Sequence, residues 1–357
     1  MSARLAPLRA TFEAAQIDGI LITNAQNRRY LSGFTGSAGA LIIDGSRALL
    51  VTDGRYTEQA GREAAGFEVV IRSLDETLEQ CVARLVAPIG RLGFEAAALT
   101  FADHAAYAEL LGAAVRLVPI KDLLEPIRAV KDAGELESLR RAIAITDGAL
   151  ARVTPLLQPA MTEREAAWEL HKAMVELGAD GLAFEIIAAA GPNSALPHYH
   201  GGAAQLGLGR PIVLDFGALL NGYHADMTRT VILGEADEQF TTIYRIVREA
   251  LRAATDGIRP GTTGQQADAL ARDVIAAAGY GEYFSHGTGH GVGLQIHEEP
   301  GLRKTNLAPL PLRSVFSIEP GIYLPGWGGV RLENLVYLTD QGVETLTQSP
   351  FLVASSQ

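Results

Sequence analysis

Apolar and polar residues alternate along the first third of the chain in a pattern typical of an α/β domain. Short apolar runs indicate strands, and segments with apolar residues at helical spacing lie between them. The predicted strands cover residues 20–22, 40–43, 48–51, 69–71 and 115–120, and the predicted helices cover residues 4–16, 57–65 and 76–86. Residues 123–130 are predicted to be a connector, because Pro126 disfavours a continuous helix there.

The pattern changes near residue 125, where long amphipathic helices replace the short elements. The predicted helices form two pairs, residues 132–150 with 163–177 and residues 240–255 with 263–278. Strand pairs follow each helix pair, although no convincing repeat is visible residue by residue. We therefore predict two domains, residues 1–125 and 126–357, and an internal duplication around one site in the second.

Composition and charge are those of an ordinary globular protein with an excess of acidic residues. Hydrophobic residues make up 48% of the chain, charged residues 20%, and the formal net charge is −11. The negative charge argues against nucleic acid or an anionic membrane as a partner. The single cysteine, Cys81, excludes an intramolecular disulfide, and no segment has the apolar length of a membrane span or secretory signal. We expect a cytoplasmic protein.

Two aspartates interrupt apolar segments that are predicted to form one hairpin. Asp215 and Asp226 are equally far from a midpoint between residues 220 and 221, so a hairpin centred there places them opposite each other on one face. The dipeptide Asn221-Gly222 is typical of a two-residue turn, and a turn centred on it shifts this register.

Two glutamates repeat this arrangement further along the chain. Glu319 and Glu333 end or interrupt apolar strands and lie symmetrically about Gly326, with His290 on a preceding segment. Buried carboxylates are costly unless they are paired or bound to metal, and lysine and arginine are scarce beside these acids. Four carboxylates and one imidazole suit two divalent ions such as Mn²⁺, Co²⁺ or Zn²⁺. The set predicts a dinuclear hydrolase.

Residues 285–294 form a glycine-rich segment with two possible meanings. The glycines are compatible with a phosphate-binding loop, but the segment lacks the Lys-Ser/Thr ending of a P-loop. The histidines at positions 286, 290 and 297 favour catalysis instead, with the glycines allowing close approach of the backbone.

Together these motifs resemble the pita-bread metallopeptidases of the proline-specific branch, aminopeptidase P and prolidase. The matching segments of the second domain are Asn193-Ser194-Ala195-Leu196-Pro197-His198, Leu214-Asp215-Phe216-Gly217, Asp226-Met227-Thr228-Arg229-Thr230, 286–293, Ile318-Glu319-Pro320-Gly321 and Arg331-Leu332-Glu333-Asn334. Residues 30–39 and 52–56 resemble the N-terminal domain of aminopeptidase P. The resemblance implies an α/β creatinase-like N-terminal domain joined to an α+β pita-bread catalytic domain with a pseudo-twofold duplication.

The resemblance also implies a role for each metal-type ligand. Asp215 would bind one ion, Asp226 and Glu333 would bridge two ions, and His290 and Glu319 would bind the other. Mn²⁺ is the expected metal, and a water activated by both ions is the implied nucleophile. Glu319 occupies the position of the family's proton shuttle, between that water and the leaving proline nitrogen.

Further residues match positions that contact the substrate. His198 and His297 are expected to bind the substrate and stabilise the tetrahedral intermediate. His286 is expected either to touch the substrate or to support a ligand, and Arg331 to pair with ligand carboxylates or substrate. Two nearby tyrosines are predicted to form the pocket wall, Tyr223 and Tyr323.

The favoured function is hydrolysis of the bond between an N-terminal residue and a following proline, as in aminopeptidase P. The substrates would be peptides with proline in the second position, and the family implies a homodimer. A prolidase limited to dipeptides is the main alternative. A metal-free creatinase-like amidinohydrolase and a non-catalytic binding module are disfavoured because every ligand is present, and a methionine aminopeptidase because an N-terminal domain is present.

Overall fold

The computed structural model describes residues 4–351 and 354–355. The chain consists of two compact units, Met1–Arg128 and Ala129–Gln357. Within the described residues, no helix combines the length and the apolar character needed to traverse a bilayer.

The first unit is built around one mixed sheet in the order β4-β3-β2-β1-β5-β6. Its strands are β1 (Gly19–Ile22), β2 (Ala40–Asp44), β3 (Ala48–Thr52), β4 (Glu68–Ile71), β5 (Arg91–Glu95) and β6 (Arg116–Ile120). Its helices are α1 (Leu5–Ala10), α2 (Ala25–Ser32), α3 (Thr57–Glu63), α4 (Leu78–Val86), α5 (Phe101–Leu111) and α6 (Glu125–Ala129), with a 3₁₀ turn at Gly54–Tyr56. Strand β6 contains Pro119 and lies at the sheet edge, where a missing N–H is tolerated.

The predicted connector at residues 123–130 is wrong, because α6 forms there. Pro126 is the second residue of α6, where the backbone N–H has no partner inside the helix and proline costs little. The sequence pattern also missed α2, which has few apolar residues. Helix α2 buries polar side chains instead, among them Asn27 and Arg28, and ends at Gly33 in the left-handed conformation with φ of 81°.

The second unit contains two pairs of packed helices, each followed by strands. The helices are α7 (Ala133–Val153), α8 (Glu163–Glu176), α9 (Glu238–Gly257) and α10 (Gly264–Ala277), with 3₁₀ turns at Thr154–Leu156, Gly191–Ala195 and Gly281–Tyr283. Helices α7, α8 and α10 begin with complete capping boxes at Asp132, Thr162 and Thr263. These caps account for the sharp helix starts that the sequence predicted.

Among the residues that the structure describes, the strands of the second unit form four sheets. They are β7 (Gly181–Leu182), β8 (Ile187–Ala190), β9 (Pro211–Phe216), β10 (Ala218–Leu220), β11 (Tyr223–His224), β12 (Met227–Leu233), β13 (Gly289–Gly291), β14 (Glu298–Leu302), β15 (Val315–Ile318), β16 (Gly321–Leu324), β17 (Gly328–Arg331), β18 (Asn334–Thr339), β19 (Gly342–Thr345) and β20 (Ala354–Ser355). The sheet orders are β20-β12-β9-β8, β14-β13-β15-β18-β19, β11-β10-β7 and β16-β17.

Each half of the second unit has its own hydrophobic core. One core joins α7 and α8 to β8, β9 and β12 through residues such as Leu150, Leu170 and Leu214. The other joins α9 and α10 to β15–β18 through residues such as Val247, Ile275 and Phe316. This arrangement agrees with the two repeated halves that the helix and strand pattern predicts.

Candidate metal centre

The aspartate hairpin has the register set by its Asn-Gly turn. Asp215 pairs with Thr228, and the turn residues Asn221 and Gly222 have φ of 50° and 72°. Positive φ at both positions is typical of the tightest hairpin turns. The prediction of a hairpin centred between residues 220 and 221 is therefore wrong. It placed Asp226 opposite Asp215, whereas the residue opposite Asp215 is Thr228, two positions further along. A shift of two preserves the face of a strand, so Asp226 lies diagonal to Asp215 on the same side.

Gly217 permits the close strand crossing beside Asp226. A Cβ added at Gly217 would lie 1.8 Å from the carbonyl oxygen of Ala225, which is far inside a van der Waals contact. Any side chain at this position would separate the two strands that carry the aspartates.

The glutamate hairpin has the predicted symmetry about Gly326. Strands β15 and β18 pair Ile318 with Asn334, and β16 and β17 pair Gly321 with Arg331. Both pairings share one centre, and the two glutamates lie in the short breaks between them. At these breaks the carboxylates leave the ladder and turn toward one site.

Three of the predicted ligands form a compact cluster. Asp226, His290 and Glu333 each offer one ligand atom, and these atoms lie within 4.8 Å of one another. Glu319 joins them, because its Oε1 is 3.2 Å from Nε2 of His290, which is itself 3.6 Å from Oδ2 of Asp226. Asp215 is connected to this cluster through Arg331.

Arg331 joins the two sides of the site through three different hydrogen bonds. Its Nη2 is 2.6 Å from Oδ2 of Asp215, its Nη1 donates to the Tyr323 hydroxyl, and its Nε donates to Oγ1 of Thr228. The Thr228 hydroxyl in turn donates to Oε2 of Glu333 over 2.7 Å. Arg331 is buried, and despite that burial the charges of Tyr323 and Asp215 raise its pKa well above the ordinary value.

Unsatisfied oxygens in the site fit a bound cation. Oδ1 of Asp215 and Oε1 of Glu333 are buried and have no hydrogen-bond partner. Such atoms are expensive unless a partner compensates them, and a divalent ion is a natural partner for carboxylate oxygens. The residues present therefore fit the metal ions that the sequence predicts.

The raised pKa values of two carboxylates also indicate that the site has too little positive charge for its acidic groups. Burial, together with the charges of Glu319 and Asp215, raises the pKa of Glu333 to about 8. Burial and the neighbouring Glu333 raise the pKa of Asp226 well above its usual value. Without a cation, the site retains protons that a divalent ion would displace.

Glu319 and His290 form a buried pair of opposite charge. Burial opposes ionisation of both, but their mutual hydrogen bond and charge prevail, so the pKa of Glu319 falls to about 2 and that of His290 rises to about 9. Ser317 orients the pair, since its hydroxyl donates to Oε1 of Glu319 and accepts from the backbone N–H of His290.

His286 lies at the end of the Arg331 network. Its Nε2 is 2.8 Å from the Tyr323 hydroxyl, and burial lowers its pKa. Tyr323, which we expect to form the pocket wall, also has a linking role, because its hydroxyl joins His286 to Arg331. Tyr223 instead donates a hydrogen bond to Glu135.

His297 and His198 approach the cluster from its exposed side. The ring of His297 lies against that of His290, with centroids 4.3 Å apart. Desolvation on this side and the charge of His290 lower the pKa of His297, and the charge of His198 contributes to the same shift. His198 itself is exposed and follows the 3₁₀ turn Gly191–Ala195.

Thr228 and Ser317 are site residues that the sequence interpretation missed. Each lies two positions from an acidic ligand, Thr228 after Asp226 and Ser317 before Glu319. Residues two apart on a strand share a face, which is the criterion that singled out Arg331 beside Glu333. Applying it to every ligand would have found both hydroxyls.

Known proteins resemble this chain over nearly its whole length. Residues 4–130 match the creatinase/prolidase N-terminal domain, and residues 137–340 match metallopeptidase family M24. The uncharacterized peptidase YqhT of Bacillus subtilis is 42% identical, covering 97% of this chain and 98% of its own. An Xaa-Pro dipeptidase of Pyrococcus furiosus is 34% identical, covering 98% and 99%.

Solved structures also resemble this chain over nearly its whole length. A structure named Xaa-Pro dipeptidase from Bacillus anthracis is similar with a TM-score of 0.95 and 40% identity, covering 98% of this chain and 99% of that one. A structure named X-Pro aminopeptidase from Thermotoga maritima is similar with a TM-score of 0.88 and 37% identity, covering 96% and 100%.

Proposed function

The chain belongs to metallopeptidase family M24 and carries a creatinase/prolidase N-terminal domain, and from this premise we propose that it hydrolyses the bond between an N-terminal residue and a following proline. Family membership confirms the predicted fold class, a creatinase-like domain followed by a pita-bread domain. The observation that carries the proposal is the buried ligand cluster with two unsatisfied carboxylate oxygens, in a chain similar to proteins named for Xaa-Pro bonds.

Two divalent ions are part of this proposal, with Mn²⁺ as the expected metal. Five residues would hold these ions: Asp215, Asp226, His290, Glu319 and Glu333. When bound, such ions supply Lewis acidity that lowers the pKa of water and polarises a carbonyl. The unsatisfied oxygens of Asp215 and Glu333 support this assignment.

Glu319 is proposed to move the proton during hydrolysis. An ionised carboxylate at this position can accept a proton from the attacking water. The departing proline nitrogen must gain a proton to leave as an amine, and Glu319 would deliver it. Ser317 holds this carboxylate through a hydrogen bond from its hydroxyl to Oε1.

His198 and His297 are proposed to bind the scissile carbonyl and its tetrahedral intermediate. Both have exposed rings, so a substrate can reach them. The lowered pKa of His297 keeps that ring neutral near pH 7, with an N–H available for donation to developing negative charge. His286 is proposed to support Tyr323 and Arg331 rather than to touch the substrate.

The length of the accepted peptide separates two candidate functions. Cleavage of longer peptides, as in aminopeptidase P, is the function favoured by the N-terminal motifs at residues 30–39 and 52–56. Restriction to dipeptides is the second candidate, favoured by the Xaa-Pro dipeptidase names of two similar proteins. We propose that the first 125 residues determine this difference.

One assay tests these proposals together. The purified chain is stripped of metal, reloaded with Mn²⁺, Co²⁺ or Zn²⁺, and offered Ala-Pro, an Xaa-Pro-Pro peptide, Met-Ala-Ser and creatine. Metal-dependent cleavage of both proline peptides supports the aminopeptidase, whereas cleavage of Ala-Pro alone supports the dipeptidase. Absence of metal-dependent cleavage of every peptide would overturn the peptidase proposal.

Assembly and location belong to the same proposal. We propose a homodimer on the family resemblance, and a cytoplasmic location because a single cysteine, Cys81, gives no sign of an oxidising compartment. Light scattering coupled to size-exclusion chromatography measures the assembly directly, and a monomeric mass would contradict the dimer.

A further inference from the structure

The loop that carries His198 is held by one buried carboxylate. Glu163 is the first residue of α8 and has no exposed surface. Its Oε1 accepts hydrogen bonds from the Ala190 N–H and the Asn193 side-chain amide, both at 2.9 Å, and its Oε2 accepts from the Tyr199 hydroxyl and the Gly202 N–H, both at 3.0 Å. The donors all belong to the segment 190–202 that contains His198.

The two oxygens of Glu163 hold opposite ends of this segment. Oε1 binds the start, around the 3₁₀ turn Gly191–Ala195, and Oε2 binds the end, after His198. The Glu163 N–H adds a backbone bond to the carbonyl of Ala204. A carboxylate at the first turn of a helix is also favoured by the helix dipole. Glu163 therefore ties both ends of this segment together, while the Ser194 hydroxyl anchors the 3₁₀ turn to the Gly329 N–H and the Arg164 N–H bonds the Gly202 carbonyl.

We propose that Glu163 is a positioning residue that sets His198 against the substrate, an inference that rests on the proposed peptidase function. His198 is exposed, and the residue after it, Tyr199, is anchored to Glu163 through its hydroxyl. Fixing Tyr199 and Asn193 on either side of His198 limits the positions that its imidazole can occupy. Correct placement of such a group accounts for a large part of a catalytic rate.

Replacement by glutamine isolates this role. In Glu163→Gln the side-chain oxygen can still accept two hydrogen bonds. The new NH₂ group replaces the other oxygen and faces the Gly202 N–H, so two donors meet and that hydrogen bond is lost. The segment must therefore shift at its His198 end. Glu165→Gln is the matched control, because Glu165 lies in the same helical turn, is exposed, and caps the helix in a way that glutamine also satisfies.

A double-mutant cycle on Ala-Pro hydrolysis by the Mn²⁺-loaded full chain tests the inference. We expect Glu163→Gln to lower kcat/KM by about ten- to a hundred-fold in the wild-type background. In the His198→Ala background the same change should cost less than about two-fold, because the group it positions is gone. Bound metal should stay equal to wild type, and Glu165→Gln should leave kcat/KM unchanged.

Equal losses in both backgrounds, or no loss in the wild-type background, would overturn the inference. If Glu163→Gln does not fold, Tyr199→Phe takes its place in the cycle. It removes the hydroxyl that donates to Glu163 and accepts from the Asn193 amide, and it leaves no buried donor facing another. Tyr199→Phe should lower kcat/KM by less than Glu163→Gln does, and this loss should vanish in the His198→Ala background. A loss of kcat/KM that persists there would refute the proposal. If the wild-type chain cleaves no Xaa-Pro peptide, the proposed function on which the inference rests is contradicted instead.

Discussion

Arg331 illustrates how much one side chain organises in this site. Its guanidinium spans Asp215, Tyr323 and Thr228, and Thr228 extends the contact to Glu333. The planar fork of arginine reaches three partners in different directions, which the single ammonium of lysine cannot do. The position of both metal-type carboxylates therefore depends on the shape of this residue as well as on its charge.

Replacing Arg331 by lysine should weaken metal binding and catalysis although the charge is retained. We expect Mn²⁺ affinity and kcat/KM each to fall by about 10- to 100-fold, the usual loss when a partner of a metal ligand is removed. Calorimetric titration with Mn²⁺ and kinetics on Ala-Pro measure the two effects. Arg140→Lys is the control, since Arg140 pairs with Glu344 on the surface, and equal behaviour of both variants would contradict the role of Arg331.

Glu319 combines a metal-binding position with the proposed proton transfer. Glu319→Ala should lower kcat by about 10²–10⁴-fold, the range that general acid-base groups contribute. Turnover is followed on Ala-Pro, with bound metal determined on the same samples. Glu344→Ala removes an exposed glutamate and should have no effect. Turnover of Glu319→Ala at the wild-type rate would refute the proton-transfer role.

The two acidic hairpins differ in how well their registers were predicted. Symmetry about Gly326 gave the right answer for the glutamates, because the pairings on both sides of the breaks share that centre. For the aspartates, the conformational preference of Asn221-Gly222 overrode symmetry and moved the pairing by two residues. The face of each ligand was predictable in both hairpins because side-chain direction repeats every two residues.

Gly217 should be irreplaceable in the aspartate hairpin. Gly217→Ala places a Cβ 1.8 Å from the Ala225 carbonyl oxygen, so the strands must separate. We expect a loss of stability of about 1–3 kcal/mol or more, as for other overpacked sites, and weaker Mn²⁺ binding through displacement of Asp226. Urea unfolding and metal titration measure these changes.

Gly181 provides the matched control for this substitution. It lies in β7, paired with β10, and a Cβ added there meets nothing within 4 Å. Gly181→Ala should leave both stability and metal binding close to wild type. If Gly217→Ala behaves like Gly181→Ala, the close crossing does not constrain the hairpin.

The apolar pattern of the sequence did not predict a helix whose buried face is largely polar. Helix α2 buries Asn27 and Arg28, which bond to Glu95 and to the carbonyls of Gly36 and Gly39. Apolar periodicity does not reveal such a helix, since its buried apolar residues, Tyr30 and Leu31, are adjacent and the rest of its buried surface is polar. Similarly, Gly93 interrupts the apolar run of β5 and hides that strand.

At the scale of the whole molecule, the concentration of acidic groups in one site links stability to pH and metal. In the metal-free chain the pKa of Glu333 is raised from 4.5 to about 8 and that of His290 from 6.5 to about 9. Groups with a raised pKa stabilise the fold at low pH and lose that contribution as pH rises through the folded value. Each group loses its contribution between its ordinary pKa and its raised pKa. These two pH ranges overlap from pH 6.5 to about 8.

Other groups of the site do not reverse this trend. The lowered pKa of Glu319 affects stability only below its ordinary value of 4.5. The lowered pKa values of His286 and His297 act below their ordinary value of 6.5. Above pH 6.5, the direction is therefore set by the groups with raised pKa values.

The melting temperature of the metal-free chain should fall by a few degrees between pH 6.5 and 8.5. Saturating Mn²⁺ should raise it by more at pH 8.5 than at pH 6.5, because the ligands then carry fewer protons for the ion to displace. Differential scanning fluorimetry with chelator or with Mn²⁺ measures both. A melting temperature that rises with pH in the chelated chain would contradict this assignment.

A neutral side chain at position 333 checks the cause. Glu333→Gln preserves the shape of the residue but cannot titrate, so the pH dependence of its metal-free melting temperature should be shallower than that of wild type. An unchanged slope would assign the effect to groups other than Glu333.

The symmetric glutamate hairpin also limits how this sequence can change in length during evolution. Residues added or lost at the tip near Gly326 leave the pairings of Ile318 with Asn334 and of Gly321 with Arg331 intact. A single deletion between Glu319 and Gly321, or between Arg331 and Glu333, would turn one acid to the opposite face. Viable descendants of this gene should therefore vary in length at the hairpin tip and keep the spacing around both glutamates constant.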